Sequence, residues 1–300
     1  MRQVFALDIG GTNVKYGVVS EDGIVTEENR MRTLAYEGSE RLLARLKSVI
    51  SEAWRDELEG VAISSAGQIN PEDGSVRFAT DNLPGWTGIR LADEVAELIA
   101  RPCRVENDVN AAALGEYWLG AARGARNALM VTLGAGVGGG LVTDGVLFTG
   151  DRGGALEIGH VKLYPGGRKC TCGQNGCYEQ YASTRALEKL VREKIPEMHR
   201  GARDLFDHIK AGNVAARRVY LEWVNEIALG LSSIVPMLDP DIVILGGAIS
   251  IQGEALSRPV ETLIKRMVMP SYRELTVKCA QLGNQAGMLG AAHAFFRAVG

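Results

Sequence analysis

A histidine and three cysteines stand close together in the second half of the chain: His160, Cys170, Cys172 and Cys177. The last three belong to the string Cys-Thr-Cys-Gly-Gln-Asn-Gly-Cys. One imidazole and three thiols make a Cys3His set, the usual closed tetrahedral zinc site. Four protein ligands leave no open position for water, so such an ion is structural rather than catalytic. Gly166, Gly167, Gly173 and Gly176 allow the loop to wrap it. Glu157 and Glu179 flank the set on both sides. Carboxylates held rigid by a structural ion are suited to binding vicinal sugar hydroxyls.

A different chemistry is written in the glycines. Asp8-Ile9-Gly10-Gly11-Thr12-Asn13-Val14-Lys15 lies between two apolar runs. Glycine lets backbone N–H groups approach a phosphate with no Cβ in the way. Thr12 adds a hydroxyl, Lys15 a positive charge, and Asp8 an oxygen ligand for Mg2+, direct or through water. Alone, this segment reads equally well as a plain hairpin turn. It has companions in Gly134, Gly136 and Gly138 of the run Leu133–Gly140, and in Gly246-Gly247. None is a Walker A loop, because G-x-x-x-x-G-K-[ST] does not occur. The 134–139 run leads into a strand rather than a helix, which argues against a dinucleotide fingerprint. Three glycine turns at strand ends suit a nucleotide clamped between two domains, as phosphoryl transfer requires.

Glu106-Asn107-Asp108-Val109-Asn110 sits at a strand end just before a helix, where α/β sheets place ligands. Asp108 is the candidate base for a sugar hydroxyl and Asn107 a candidate sugar contact. Taken without the other motifs, Asp108 reads as a helix N-cap. Asn82, in Asp-Asn-Leu-Pro-Gly-Trp, is either a turn residue or a further sugar contact.

The elements that must position these groups follow from periodicity. Strands are expected over Val4–Ile9, Val14–Val19, Ile24–Arg32, Val61–Ser64 and Cys103–Glu106, with helices over Ser39–Glu57, Leu91–Ala100 and Asp108–Trp118. Ser39 is the expected cap of the first helix. The pattern then restarts: strands at Ala128–Leu133, Leu141–Thr143 and Val146–Thr149, and later at Ile242–Leu245 and Thr276–Ala280. Helices are expected near Ser183–Lys194, Asp204–Lys210, Val214–Met237 and Gly287–Val299. Strand, glycine turn and hairpin thus occur twice, which predicts two similar α/β domains with a cleft between them. The division falls at 1–118, completed by a C-terminal helix at about 287–300, and 119–286.

Composition narrows the class. The 300 residues are 46% hydrophobic and 23% charged, with a formal net charge of −3. That is an ordinary globular balance with no strong field for nucleic acid or anionic membrane. No stretch approaches the roughly 20 apolar residues of a membrane span, and the N-terminus does not read as a signal peptide. The protein reads as cytoplasmic. Cys103 and Cys279, alone in apolar runs, read as buried small hydrophobes.

Taken together, DIGGTNVK, ENDVN, LGAGVGGG, the E-I-G-H of 157–160, CTCGQNGCYE at 170–179 and the late ILGG resemble the ROK family of repressors, open reading frames and sugar kinases. The resemblance covers nearly the whole chain. It implies two RNase H-like domains of the actin-like ATPase fold around a cleft, the last helix packing back on the first domain. It implies ATP and Mg2+ as cofactors and phosphorylation of a hexose or N-acetylhexosamine: glucose first, N-acetylmannosamine or N-acetylglucosamine next. Asp108 matches the family's catalytic base; Asn82, Asn107, Glu157, His160 and Glu179 match its sugar contacts. His160, Cys170, Cys172 and Cys177 match its zinc ligands, and members are commonly dimers. Two positions depart. Leu156 stands where the family often has Gly before the Glu, and Ala66-Gly67 replaces a frequent Pro-Gly. The alternatives are a sugar-responsive regulator of the same family and a non-catalytic sugar-binding protein. The first is disfavoured because the glycine-turn strand begins by residue 4, leaving no room for a DNA-binding helix-turn-helix, and no basic patch stands out.

Overall fold

The computed structural model describes residues 1–80, 82–198 and 200–299. In chain order its elements are β1 (Gln3–Ile9), β2 (Asn13–Ser20), β3 (Val25–Arg32), α1 (Ser39–Ala53), β4 (Val61–Ser65), β5 (Gln68–Ile69), β6 (Val76–Phe78), α2 (Leu91–Ile99), β7 (Cys103–Asn107) and α3 (Asp108–Trp118). There follow β8 (Asn127–Leu133), β9 (Val137–Thr143), β10 (Val146–Leu147), α4 (Glu179–Ala182), α5 (Thr184–Lys194), α6 (Ala202–Lys210), α7 (Val214–Leu238), β11 (Ile242–Gly246), α8 (Glu254–Met267), β12 (Thr276–Cys279) and α9 (Ala286–Val299).

Two five-stranded sheets carry the fold, in the orders β3-β2-β1-β4-β7 and β10-β9-β8-β11-β12. Numbered within each sheet, both read third-second-first-fourth-fifth. The duplication expected from the spacing of strands and glycines is therefore one of topology.

In the first sheet β1 runs antiparallel to β2 and parallel to β4, which is parallel to β7. The alternation of β1 is buried on both faces. Phe5, Leu7 and Ile9 join Leu42, Leu46 and Ile50 of α1 and Leu91, Val95 and Ile99 of α2 in one core. Val4, Ala6 and Ala62 join Met288, Leu289, Ala292 and Phe295 of α9 in the other. On that second face the apolar pattern stops at the strand ends. Asp8 pairs across to Ser64, and Ser64 to Glu106. Core positions change to polar ones where a ligand can enter.

Helix α9 crosses α3 on small residues. A Cβ on Gly290 would lie 1.6 Å from the carbonyl of Ala111, and one on Gly115 would lie 2.5 Å from that of Ala286. The return of the chain to this face is held by Glu116. It is fully buried, and its carboxylate accepts from the N–H groups of Ala121, Gln281 and Leu282 at 2.8, 2.9 and 2.8 Å.

The compact units are Met1–Gly124, Gly140–Ala155 and Gln281–Gly300 in one, and Ala125–Gly139 and Leu156–Ala280 in the other. Residues 140–155 group with the first unit for a packing reason. Gly140 lies against Ala113, Val109 and Asn110 of α3, and Arg297 of α9 donates to the carbonyl of Gly145 at 2.6 Å.

Other differences are local. Helix α1 ends at Ala53 rather than Glu57, because Trp54 turns extended and packs on the core. Its cap is Gly38, with φ of 90°, and Ser39 is the first helical residue. The β5-β6 hairpin was not foreseen, since two- and three-residue strands carry too little periodicity. Among the described residues no helix is long and apolar enough to cross a membrane.

Candidate functional site

In the first unit the glycine turn closes β1 onto β2. Gly10 N–H donates to the carbonyl of Asn13 at 3.1 Å, leaving Gly11 and Thr12 exposed at the tip. Asn82 lies beside this tip, its Cβ 4.0 Å from where a Gly11 Cβ would be. Asp8 uses both oxygens: one accepts from Lys15 Nζ at 3.1 Å, the other from Ser64 Oγ at 2.8 Å. The first turn of α9 covers it, and Gly287 is needed there, because a Cβ would lie 2.6 Å from the Asp8 oxygen. Asn13 and Lys15 also line a cavity of about 600 Å3 with Glu28, Asn29, Arg30 and Asn284. Sequence reasoning missed Ser64, Arg30 and Asn284, which belong to no motif and arrive by strand pairing or from the loop before α9.

Asp108 sits at the start of α3, and the cap is Asn107. Asn107 Oδ1 accepts from the N–H groups of Val109 and Asn110, and Nδ2 donates to the carbonyl of Gly67 and to Asp108 Oδ1. That fills the amide's donors and acceptors. Any sugar contact by Asn107 must share these bonds. Gly67, which keeps the glycine of the replaced Pro-Gly, has φ of 108°. The segment is held from behind by Glu106, which accepts from Asn107 N–H at 2.9 Å and Asn110 Nδ2 at 3.0 Å. Burial pushes the Glu106 carboxyl above its usual range. Burial also pushes the Asp108 carboxyl up to about 7, and the negative charge of Asp8 adds to the shift. A carboxylate tuned to neutrality by desolvation and a like charge is what a general base at physiological pH needs.

In the second unit His160, Cys170, Cys172 and Cys177 converge, their ligand atoms all within 4.8 Å of one another. Cys172 Sγ and Cys177 Sγ are 3.6 Å apart, and Cys170 Sγ is 3.7 Å from His160 Nδ1. With Zn–S near 2.3 Å, a tetrahedron places sulfurs about 3.8 Å apart. The donor set and its spacing therefore fit zinc. Burial pushes the Cys170 thiol up to about 12, with the Glu179 carboxylate adding to it, while the N–H of Gln174 holds Cys172 below its usual value. A dication with three thiolates and a neutral imidazole carries one net negative charge. Lys162 Nζ, 3.1 Å from Cys177 Sγ, offsets it. The His160 ring turns Nδ1 to the cluster, so with a metal held there the ring proton would lie on Nε2.

Glu179 joins this cluster to the second glycine turn. One oxygen lies 3.0 Å from Cys170 Sγ, and the other would be 2.4 Å from a Cβ on Gly136. Gly134 is fixed by Thr184 and Arg185 at the start of α5, whose N–H groups donate to its carbonyl. Gly138 lies within β9 itself. Gly247, with φ of 87°, packs on the carbonyl of Leu133, so Gly246-Gly247 and the turn at 134 are neighbours. Glu157 is exposed and precedes the short helix Ile158–His160. Leu156 before it takes φ of 62°, the left-handed conformation that glycine adopts freely. The loop thus keeps a glycine's backbone without the glycine. The zinc string is also buttressed by Tyr178, fully buried, whose hydroxyl donates to the carbonyl of Ile227 on α7. Tyr178 and Lys162 were not foreseen, although Tyr178 stands next to Cys177.

Two sheets of one strand order, each with a glycine turn between its first two strands, define the two-domain actin-like ATPase fold. The chain belongs to the ROK family, which it matches over residues 4–297. It is 36% identical to a glucokinase of Thermotoga maritima over 97% of this chain and 96% of that one. It is 31% identical to an N-acetylmannosamine kinase of Citrobacter koseri over 96% of each. Among solved structures it resembles a ROK glucokinase of Streptomyces griseus in complex with glucose and AMPPNP, with a TM-score of 0.84 and 31% identity, over 97% of this chain and 98% of that one.

Proposed function

We propose that this protein is an ATP-dependent sugar kinase acting on a hexose or N-acetylhexosamine, with glucose the first candidate and N-acetylmannosamine or N-acetylglucosamine next. The observation that carries the reading is Asp108: a carboxyl raised to about 7, at a strand end, with the charge of Asp8 acting on it. The sugar hydroxyl oxygen attacks the γ-phosphorus. The bond to the β,γ-bridging oxygen breaks, ADP leaves with the electron pair, and the hydroxyl proton passes to Asp108 Oδ. The sugar's contacts are assigned to Asn82, Asn107, Asp108, Glu157, His160 and Glu179. Nucleotide phosphates are assigned to the turns at Gly10–Asn13, Gly134–Gly138 and Gly246-Gly247, with Lys15 offsetting charge. Asp8, whose oxygens each accept one protein hydrogen bond and keep a further lone pair, would meet a Mg2+ ion directly or through water. That ion would neutralise charge on the phosphates. Zinc held by His160, Cys170, Cys172 and Cys177 would act as a brace for Glu179 and for the Nε2 side of His160.

The reading is supported by the kinase relatives and by a donor set that leaves no ligand position open for catalysis at zinc. An ADP-release assay over a panel of hexoses and N-acetylhexosamines tests it. Turnover on at least one sugar, lost in Asp108→Asn, is expected. Sugar binding with no turnover on any member would point instead to a regulator or a non-catalytic binder. The family's dimer is the expected assembly, checked by light scattering of the purified protein, and a cytoplasmic location is the expected one.

A further inference from the structure

Thr33 follows directly on β3 and is completely buried, yet all three of its polar groups are engaged. Its hydroxyl donates to the carbonyl of Gly10 at 2.6 Å. Its N–H donates to the carbonyl of Thr12 at 3.0 Å. Its own carbonyl accepts from the guanidinium of Arg45 on α1, whose other terminal nitrogen pairs with Glu37. Gly10 and Thr12 stand on either side of Gly11 in the first glycine turn. There are no cis peptides among the described residues, and in a planar trans peptide N–H and C=O point in opposite directions. With the carbonyls of Gly10 and Thr12 drawn toward Thr33, the N–H groups of Gly11 and Asn13 are turned away from it.

We infer that Thr33, backed by Arg45, is a positioning residue for this turn. It fixes the direction of the Gly11 and Asn13 amides and so sets the affinity for the phosphate chain of a nucleotide. The inference rests on the reading of the turn as a nucleotide-phosphate site. A buried threonine commonly satisfies one nearby carbonyl and does no more. Here two carbonyls on either side of Gly11 are captured by one residue, and a cation from a different element holds that residue in turn. Glycines alone cannot hold such a direction, because their backbone is free to leave it.

The test is direct nucleotide binding. Thr33→Val keeps the shape and deletes the hydroxyl donor. Calorimetry with Mg-ATP is expected to show binding weakened about five- to tenfold, the cost of one lost buried bond. Binding of the hexose identified by the panel should stay within about twofold, a split that general destabilisation would not produce. Thr33→Ser should restore Mg-ATP binding. A folded Thr33→Val that binds Mg-ATP as wild type does overturns the inference. Should Thr33→Val fail to fold, Arg45→Met carries the test, with Mg-ATP binding weakened about two- to threefold and hexose binding unchanged. Equal loss of both affinities, or loss of neither, overturns it there. A wild type that binds no Mg-ATP removes the phosphate reading and the inference with it. That outcome is distinct from a wild type that binds and a variant that binds equally.

Discussion

The two glycine turns occupy the same place in sheets of the same strand order, yet they are built for different work. The turn at Gly10–Asn13 is short and flanked by charge, with Lys15 and Ser64 both donating to Asp8 beneath it. It is pinned by a hydroxyl and an N–H from Thr33. The turn in Leu133–Gly140 has no charged residue of its own. It is pinned by the start of α5 and contacted by Glu179, which is tied to the metal cluster. The shared topology keeps the backbone and surrounds the two turns with different groups. On the kinase reading proposed above, the first copy would manage phosphate charge and accept a proton, and the second would shape a pocket around an ion.

The sharpest way to break this division is at Asp108. Asp108→Asn should reduce turnover by about a thousandfold, within the range for a lost general base. If turnover falls less than about tenfold, the proton is handled elsewhere. The same variant should not lose stability. The folded carboxyl is raised from an ordinary 3.8 to about 7, so the fold binds a proton that the unfolded chain releases. Stability from this group is present below about pH 4 and is lost as pH rises to about 7. At pH 8 Asn removes that cost, and the melting temperature should rise rather than fall. The wild-type kcat/KM should fall with acid about a midpoint near 7. Asp8→Asn should move that limb to lower pH, because the charge of Asp8 helps to raise Asp108. An unmoved limb would leave burial as the sole cause.

The second copy is broken at the ion. Cys172→Ser removes one of four ligands, and zinc content by mass spectrometry or atomic absorption should fall from near one per chain. Glu179 and His160 then lose their brace, and the sugar KM should rise about tenfold or more, as for first-ring ligand supports generally. An unchanged sugar KM in zinc-free protein would separate the metal from the pocket. A finer cut compares glycines. A Cβ on Gly136 would meet the Glu179 carboxylate at 2.4 Å, whereas one on Gly11 meets nothing nearer than 4.0 Å. Gly136→Ala should therefore disturb the protein without ligand, lowering its melting temperature and its zinc retention. Gly11→Ala should leave both alone and weaken only nucleotide binding. If the two variants behave alike, the division between the turns is not real.

How far this was legible in the sequence depends on the range of each interaction. The Cys3His set, the glycine runs and the ENDVN segment are local strings whose spacing carries their chemistry, and the structure brings the four metal ligands together. The repeat of strand, glycine turn and hairpin was legible too, while the strand order the two sheets share came from the structure. What stayed hidden is what distant elements contribute. Ser64 reaches Asp8 through parallel pairing of β4, and Thr33 reaches Gly10 from 23 residues away. Glu116 binds N–H groups more than 160 positions on. Isolated polar residues inside apolar surroundings give no sign of their partners. The exchange of roles at the start of α3, with Asn107 the cap and Asp108 the first helical residue, turns on a one-residue shift that helix boundaries read from sequence do not resolve.

The smallest effect is expected at Leu156, and it tests whether the second copy stores strain. Its φ of 62° is a left-handed conformation that a leucine adopts at a cost of about 1 kcal/mol or more. The loop accepts that cost because Ile158 and Gly159, the residues after Glu157, are buried and fixed: Gly159 packs on the carbonyl of Val137, and Ile158 N–H donates to Leu156 itself. Leu156→Gly restores the residue that the family often has. It relieves the strain but also frees the unfolded chain and deletes a partly buried side chain. The balance should lie within about 1 kcal/mol of zero in stability. Sugar selectivity is the informative readout, since Leu156 is the neighbour of Glu157. A changed ratio of kcat/KM between glucose and N-acetylmannosamine, with melting unmoved, would make the side chain a selectivity element. An unchanged ratio would show that only the backbone direction matters, and that leucine is tolerated because the rest of the loop holds the direction for it.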